Sequence, residues 1–235
     1  MQIIHKGLVK MIEQLDVATF APYLPFWDIL SEDQKELLAD QASIATYSKG
    51  ANIHHGQAEC IGTLLVVSGR LVISLLSHEG RQIVLYRMAQ GDMCILSASC
   101  ILKQITFDVN IDAEEDAVVL RIATQVFAKL QNDNLELENF VYKITTERFS
   151  DVMWTIQQVL FAGTDKRIAM YLLDECARTN GDIIHCTHEQ IARYIGSARE
   201  VVTRMLHRFS QEGIVSLSRG KITITDKAAL RKIVH

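Results

Sequence analysis

Five side chains near the C-terminal end, Arg199, Glu200, Thr203, Arg204 and His207, are of types that read or hold nucleic acid, and they recur at helical spacing. At 100° per residue they fall within about 0 to 140° of Arg199, whereas Ala198, Val201, Val202, Met205, Leu206 and Phe209 fall within about 200 to 340°. The two faces do not overlap. One side of such a helix can pack while the other enters a DNA major groove, which is wide enough to admit an α-helix. An arginine there can bond guanine O6 and N7 together, and a glutamate can accept from cytosine N4. The same pattern fits a solvated amphipathic helix, so the flanking sequence has to decide.

That sequence supplies the elements expected to position a reading helix. Thr187 is an N-cap, Ile191, Tyr194 and Ile195 follow at helical spacing, and Gly196 breaks the run before Ser197, which is expected to cap the second helix. This is the helix-turn-helix pattern. Ser197 and the Thr187–His188 helix start offer backbone amides and side chains to phosphates. After Gly213, two alternating β-type runs flank Arg219-Gly220-Lys221 and predict a hairpin wing. Residues 166–235 carry 12 Lys/Arg against 7 Asp/Glu, while residues 1–165 carry 12 against 21, so a net charge of −4 conceals a basic module on an acidic body. Phosphate contact favours that asymmetry.

Ser-Ala-Arg-Glu-Val-Val-Thr-Arg-Met-Leu at 197–206, followed by Glu-Gly-Ile-Val and the wing, resembles the DNA-binding domain of the CRP/FNR transcription regulators. The resemblance implies that Arg199, Glu200 and Arg204 read bases in a half-site similar to TGTGA. It places Thr203 and His207 at phosphates or the groove edge, and Lys221 is expected at phosphate. Double-stranded DNA is then the principal partner, and RNA polymerase the expected protein partner.

At 235 residues, 49% of them hydrophobic, the chain can support two cores. Residues 1–20 read as a mixed, helical lead-in, and Ser31-Glu32-Asp33 starts a further helix. From Tyr47 to about Ile122, short β-like runs such as 64–67, 71–76 and 82–86 alternate with glycines, the pattern of a sandwich or small barrel. The order of Lys49-Gly50, Ser68-Gly69-Arg70, Glu79-Gly80-Arg81 and Gly91-Asp92 resembles the sensory β-roll of the same family. Between about Glu136 and Leu160, the residues Leu137, Val141, Ile144, Phe149, Val152, Ile156 and Val159 form one apolar stripe about 140° wide, with Phe140 and Trp154 on another side. Two apolar surfaces need two partners, and the resemblance implies that this helix pairs with its copy in a homodimer. Residues 161–165 read as a hinge in which Gly163 ends the long helix and Thr164 or Asp165 caps the next. The expected fold class is therefore α+β: an effector-sensing, cyclic-nucleotide-binding-like antiparallel β-roll (jelly roll) with flanking helices over 1–135, a long dimerisation helix and hinge over 136–162, and a winged helix-turn-helix over 163–235.

No apolar run reaches the ~18 residues of a membrane span and no signal peptide is evident, so a cytoplasmic protein without membrane contact is expected. Five cysteines then read as free thiols. The effector is an unknown small molecule or a redox signal. In cyclic-nucleotide-binding relatives a Gly-Glu pair holds the ribose and an arginine the phosphate. This chain has Gly91-Asp92, no arginine between Arg87 and Arg121, and five carboxylates over 108–116, so cyclic AMP is not expected. The alternative is a cyclic-nucleotide-responsive regulator with an atypical pocket. Cys94 and Cys100 are candidates for a redox switch, and haem or another metal, held by one of them with His54, His55 or His78, stays open beside simple packing. An iron–sulfur cluster is not expected, since the first 59 residues lack cysteine. A cupin-like metalloenzyme would space its histidines as His-x-His, whereas His54 and His55 are adjacent and so point to opposite faces of a strand. No metal site and no catalytic residue are assigned, and the chain reads as a regulator rather than an enzyme.

Overall fold

The computed structural model describes residues 21–55, 61–77, 82–94 and 109–234, together with the backbone of 10–12. The chain forms two compact units, residues 1–75 with 85–152, and residues 76–84 with 153–235.

The first unit is built on two antiparallel sheets. Strands β1 (Lys10–Ile12), β2 (Ala42–Tyr47), β4 (Thr63–Ser68), β7 (Met93–Cys94) and β9 (Ala117–Ile122) form one in the order β1-β2-β9-β4-β7. Strands β3 (Asn52–His55), β5 (Leu71–Leu76), β6 (Gln82–Met88) and β8 (Asn110–Ala113) form the other in the order β3-β8-β5-β6. Both faces of β4 are buried, which explains why it reads as an unbroken apolar run rather than an alternating one. Leu64 and Val66 enter a core shared with Leu71, Ile73 and Val119. Leu65, on the opposite face, joins Leu120 and Ile122 in a second core beneath the helices. Full burial of each such side chain contributes about 1.5–3 kcal/mol relative to exposure. Residues 10–12, expected within a helical lead-in, instead pair with β2, Lys10 opposite Thr46 and Ile12 opposite Ile44.

Gly69 fixes the turn between β4 and β5. Its φ is +81°, and a Cβ there would fall on the carbonyl oxygen of Asp116 and lie 2.7 Å from Cα of Ala117. Gly69→Ala should therefore lower the stability of this unit by the left-handed backbone penalty of about 1–2 kcal/mol, with the steric clash adding to it. Guanidinium denaturation followed by circular dichroism measures the loss; an unchanged midpoint would contradict the tight packing of this turn.

Three helices complete the unit. Helix α1 (Glu32–Gln41) starts in a reciprocal capping box, Gln34 N donating to Ser31 Oγ (3.3 Å) and Ser31 N to Gln34 Oε1 (3.0 Å). Helix α2 (Thr124–Asp133) is absent from the sequence reading. Asn134 then caps α3 (Leu135–Phe161), its Oδ1 accepting from the backbone N–H groups of Glu136 and Leu137, both at 3.0 Å.

Helix α3 has two apolar faces, as expected, but their members differ: Phe140 joins the core residues and Trp154, expected beside it, is exposed. Leu137 and Val141 are buried with Phe140 and Ile144 packed beside them, and Phe140 meets Phe26 at a centroid distance of 5.7 Å. Phe149 and Ile156, expected in the same stripe, are exposed. They belong to a series at alternating spacings of four and three: Leu135, Asn139, Tyr142, Thr146, Phe149, Met153, Ile156 and Leu160. All eight are solvent-exposed. On the helical wheel the core face centres near 0° and this seam near 140°, so an arc read as one surface spans the edges of both.

The second unit contains α4 (Thr164–Thr179), β10 (Ile183–Ile184), α5 (His188–Ile195), α6 (Arg199–Gln211), β11 (Val215–Ser218), β12 (Lys221–Ile224) and α7 (Lys227–Val234) beside the last part of α3. Strands β10, β12 and β11 make a small antiparallel sheet in that order. Helix α4 begins one or two residues earlier than expected, with Gly163 at its N-cap; Asp165 Oδ1 instead accepts from Lys166 N at 2.9 Å. Among the described residues no helix is long and apolar enough to cross a membrane.

Candidate nucleic-acid interface

Local chemistry fixes the two helices of the motif. Thr187 Oγ1 accepts from Gln190 N (3.2 Å) while Gln190 Oε1 accepts from Thr187 N (2.7 Å), a second capping box. Helix α5 ends at Gly196, whose φ of +64° continues the chain away from the helix, and Ser197 N returns to Ala192 O at 2.9 Å. Arg167, reaching over from α4, donates from Nη1 to the carbonyl oxygen of Ile195 and so ties the end of α5 to α4. The rings of Tyr171 and Tyr194, 4.8 Å apart, join the same two helices. Ser197 does not cap α6. Ala198 occupies the N-cap with no side-chain bond, because the turn is one residue longer than the Gly-Ser pair suggests.

Helix α6 buries Val202, Leu206 and Phe209 against α4, α5 and the small sheet. Arg199, Glu200, Arg204 and His207 are exposed on the other side, and Arg199, Glu200 and Arg204 have no hydrogen bond or ion pair among the described residues. Ala198, assigned to the apolar side by its angle, is exposed at the helix start. Arg208 is committed within the helix, donating from Nε to Glu212 at 2.8 Å. Thr203 is half-buried and its Oγ1 pairs with Nδ1 of His188 at 2.9 Å, which joins α5 to α6 and occupies the hydroxyl expected at the groove edge.

The wing stands beside this surface. Ser218 pairs with Lys221 across a two-residue turn, Arg219-Gly220, in which Gly220 takes a φ of +69°. Between wing, α6 and the start of α5 lies a groove of about 530 Å³ whose lining includes His188, Arg199, His207, Arg219 and Lys221. Its cations outnumber Glu189, a lining carboxylate. Burial, then His207 and Arg199, lowers the His188 imidazole below its ordinary value. Arg219 was missing from the expected contact set, although its place in a wing turn was the signal that could have selected it.

The expected effector residues are placed differently. Gly91 and Asp92 close a turn held to β4, with Gly91 N donating to Val66 O (2.9 Å) and Val66 N to Asp92 O (3.0 Å). The Asp92 carboxylate accepts from Ala89 N (2.8 Å) and from Nη2 of Arg148 (2.9 Å). Arg148 also bonds Asp151 (3.0 Å) and lies over the Tyr86 ring, 5.1 Å from its centroid. Burial, and after it Cys94, pushes the Tyr86 phenol well above its ordinary value. Cys94 is fully buried in the β-roll core, an inert setting for a thiol. Cys100 and His78 lie outside the described residues. His54 is buried and His55 exposed, so these neighbouring imidazoles do not converge. Cys176 and Cys186 are buried in the second unit.

Residues 166–233 match the Crp-like helix-turn-helix domain. A solved CRP/FNR-family transcriptional regulator from Eubacterium rectale is 44% identical, covering 91% of this chain and 99% of that one with a TM-score of 0.87. The cyclic AMP receptor protein of Thermus thermophilus is 22% identical over 213 residues, 89% of this chain and 96% of its own length. The lactate racemization regulatory protein of Lactiplantibacillus plantarum is 26% identical over 187 residues, 75% and 84% respectively. Chains of this fold and family are transcription regulators and not enzymes. With its paired antiparallel sheets, long central helix and C-terminal helix-turn-helix, this chain belongs to the CRP/FNR family of DNA-binding transcription regulators.

Proposed function

We propose that two copies of the chain pair in parallel through the exposed seam of α3 and read a palindromic, TGTGA-like site, under control of an effector or redox signal in the β-roll. The observation that carries the reading is the outward face of α6, where Arg199, Glu200 and Arg204 are exposed with no hydrogen bond or ion pair among the described residues, at a cationic groove. Arginine at a guanine edge and glutamate at cytosine N4 are the pairings such a face offers. The seam repeats as a and d positions of a heptad, with Asn139 at an a position, where a polar residue favours a defined register and two strands. Two α6 helices would then address half-sites about 10 base pairs apart. A protein of this kind acts in the cytoplasm at promoters, with RNA polymerase as its partner there.

Cyclic AMP is not the effector in this reading. Arg70 and Arg87 of the roll and Arg148 of α3 already face carboxylates, Glu115 at 3.5 Å, Glu114 at 2.7 Å and Asp92 at 2.9 Å. A phosphate would have to displace one of these partners.

Lys221 tests the division between positioning and reading. It lines the groove at the wing and is assigned to phosphate. Lys221→Ala should weaken binding alike on a TGTGA-type palindrome and on a shuffled duplex, and lower the salt slope by about one per protomer. Wild-type protein should still prefer the palindrome. A loss confined to the palindrome would contradict the phosphate role, and equal wild-type affinity for both duplexes would sink the reading as a whole.

A further inference from the structure

The DNA-facing groove is lined by two imidazoles, His188 at the first position of α5 and His207 on α6. We propose that His188 and His207 form a proton-taking phosphate site, so that DNA binding draws protons from solution onto these imidazoles and tightens as pH falls. The proposal rests on the DNA-binding reading of the same groove.

The surroundings set the direction. The pair shares the groove with Arg199 of α6 and with Arg219 and Lys221 of the wing; Glu189 is the carboxylate among the lining residues, and the Cys186 thiol also borders the groove. Without DNA, each imidazolium would add positive charge to a positive cluster, and partial burial of His188 opposes its charging further. A phosphate reverses that field. The bound state then favours the cation, and the imidazolium N–H···phosphate bond is roughly twice as strong as a neutral one.

Geometry permits the change without rearrangement. Nδ1 of His188 is 2.9 Å from Thr203 Oγ1. A hydroxyl both donates and accepts, so Thr203 can serve either the neutral ring or the cation. The pairing holds the ring on its Nδ1 edge and leaves Nε2 for a ligand. Protonation therefore costs no internal hydrogen bond, and Thr203 acts as a positioning residue.

The sign follows. Because the bound pKa exceeds the free one, the gain in affinity is complete below the free pKa and disappears as pH rises through the bound pKa. A difference of one unit corresponds to a tenfold change in affinity per histidine. For His188 the free state starts below the ordinary histidine value, through burial and then through His207 and Arg199, and a phosphate acts in the opposite direction.

The test measures Kd for full-length protein by fluorescence anisotropy between pH 5.5 and 8.0 at fixed ionic strength, on a palindromic and a random duplex. Wild-type Kd should fall as pH drops, about tenfold for each unit by which DNA raises a bound pKa, and by the same factor on both duplexes because phosphates carry no sequence. His188→Gln with His207→Gln should flatten the profile. His207→Lys supplies a fixed charge and should flatten its share while keeping tight binding at pH 8.0. Calorimetry in two buffers of different ionisation heat should show proton uptake by wild type. A flat wild-type profile, or a double variant that keeps the wild-type slope, overturns the proposal. Folded wild type that binds neither duplex at any pH overturns the underlying DNA-binding reading.

Discussion

Replacing Phe149 and Ile156 with glutamate should leave a folded monomer that has lost its palindromic site. Both side chains are solvent-exposed in the single chain, Phe149 at 63% and Ile156 at 38%, so neither supports the core. Both are d positions of the α3 seam, where a parallel partner would place the same residue opposite. Four carboxylates would then be brought together in a desolvated seam, and like charges in such a setting disfavour association strongly. One α6 helix would remain to hold one half-site. Affinity for the palindrome should fall at least 100-fold, toward the non-specific range of about 10⁻⁴ to 10⁻⁶ M. Light scattering should report the monomer, and circular dichroism an unchanged helical spectrum with a melting temperature lowered only by the stabilisation that dimerisation supplied. Substituting Phe140 or Val141, which pack in the core beside Phe26, should instead unfold the first unit. A dimer that survives both glutamates would place the interface elsewhere.

Arg204→Ala should cost about 1–3 kcal/mol on the specific site, the worth of one bidentate base contact, and relax the preference at one G·C pair. Arg204 is exposed near the middle of α6 with no ion pair or hydrogen bond among the described residues, so removing it takes nothing from the fold. Arg208, four residues on, is the control. Its guanidinium is held by Glu212 at 2.8 Å, and Arg208→Ala should change specific affinity little. Competition binding against duplexes with single substitutions shows which pair loses its preference. An equal loss on random DNA would move Arg204 from reading bases to holding phosphate.

Much of the DNA-binding half was legible because its determinants are local. The capping box at Thr187, the left-handed Gly196 and the period of α6 all lie within a few residues of the structures they produce. Helix α7 also had a local signal, Asp226, whose Oδ1 accepts from Ala229 N at 2.9 Å, yet its eight residues follow the wing closely and no helix was expected there. Helix α2 lacked such a signal, since its N-cap is Ala123 with no side-chain bond. Residues 10–12 form a strand only because β2 lies beside them. Which residues share each face of α3 was least accessible. Periodicity gives the width of an apolar arc, whereas the neighbour that covers Phe140 is Phe26, more than 100 residues away. At the effector side, type and order suggested Asp92 as a ligand group; that its carboxylate accepts from Ala89 N and from Arg148 of α3 depends on the fold, which the order of residues does not give.

The central claim, a symmetric dimer reading a palindrome through Arg199, Glu200 and Arg204, is tested most directly by selecting wild-type protein against a random duplex library and sequencing what it retains. The selection is run under reducing and mildly oxidising conditions, with and without clarified cell extract as a source of effector. The predicted result is an inverted repeat with G·C pairs in both half-sites, its centres about 10 base pairs apart. Enrichment of a single unrepeated motif, or of nothing under any of these conditions, would contradict it.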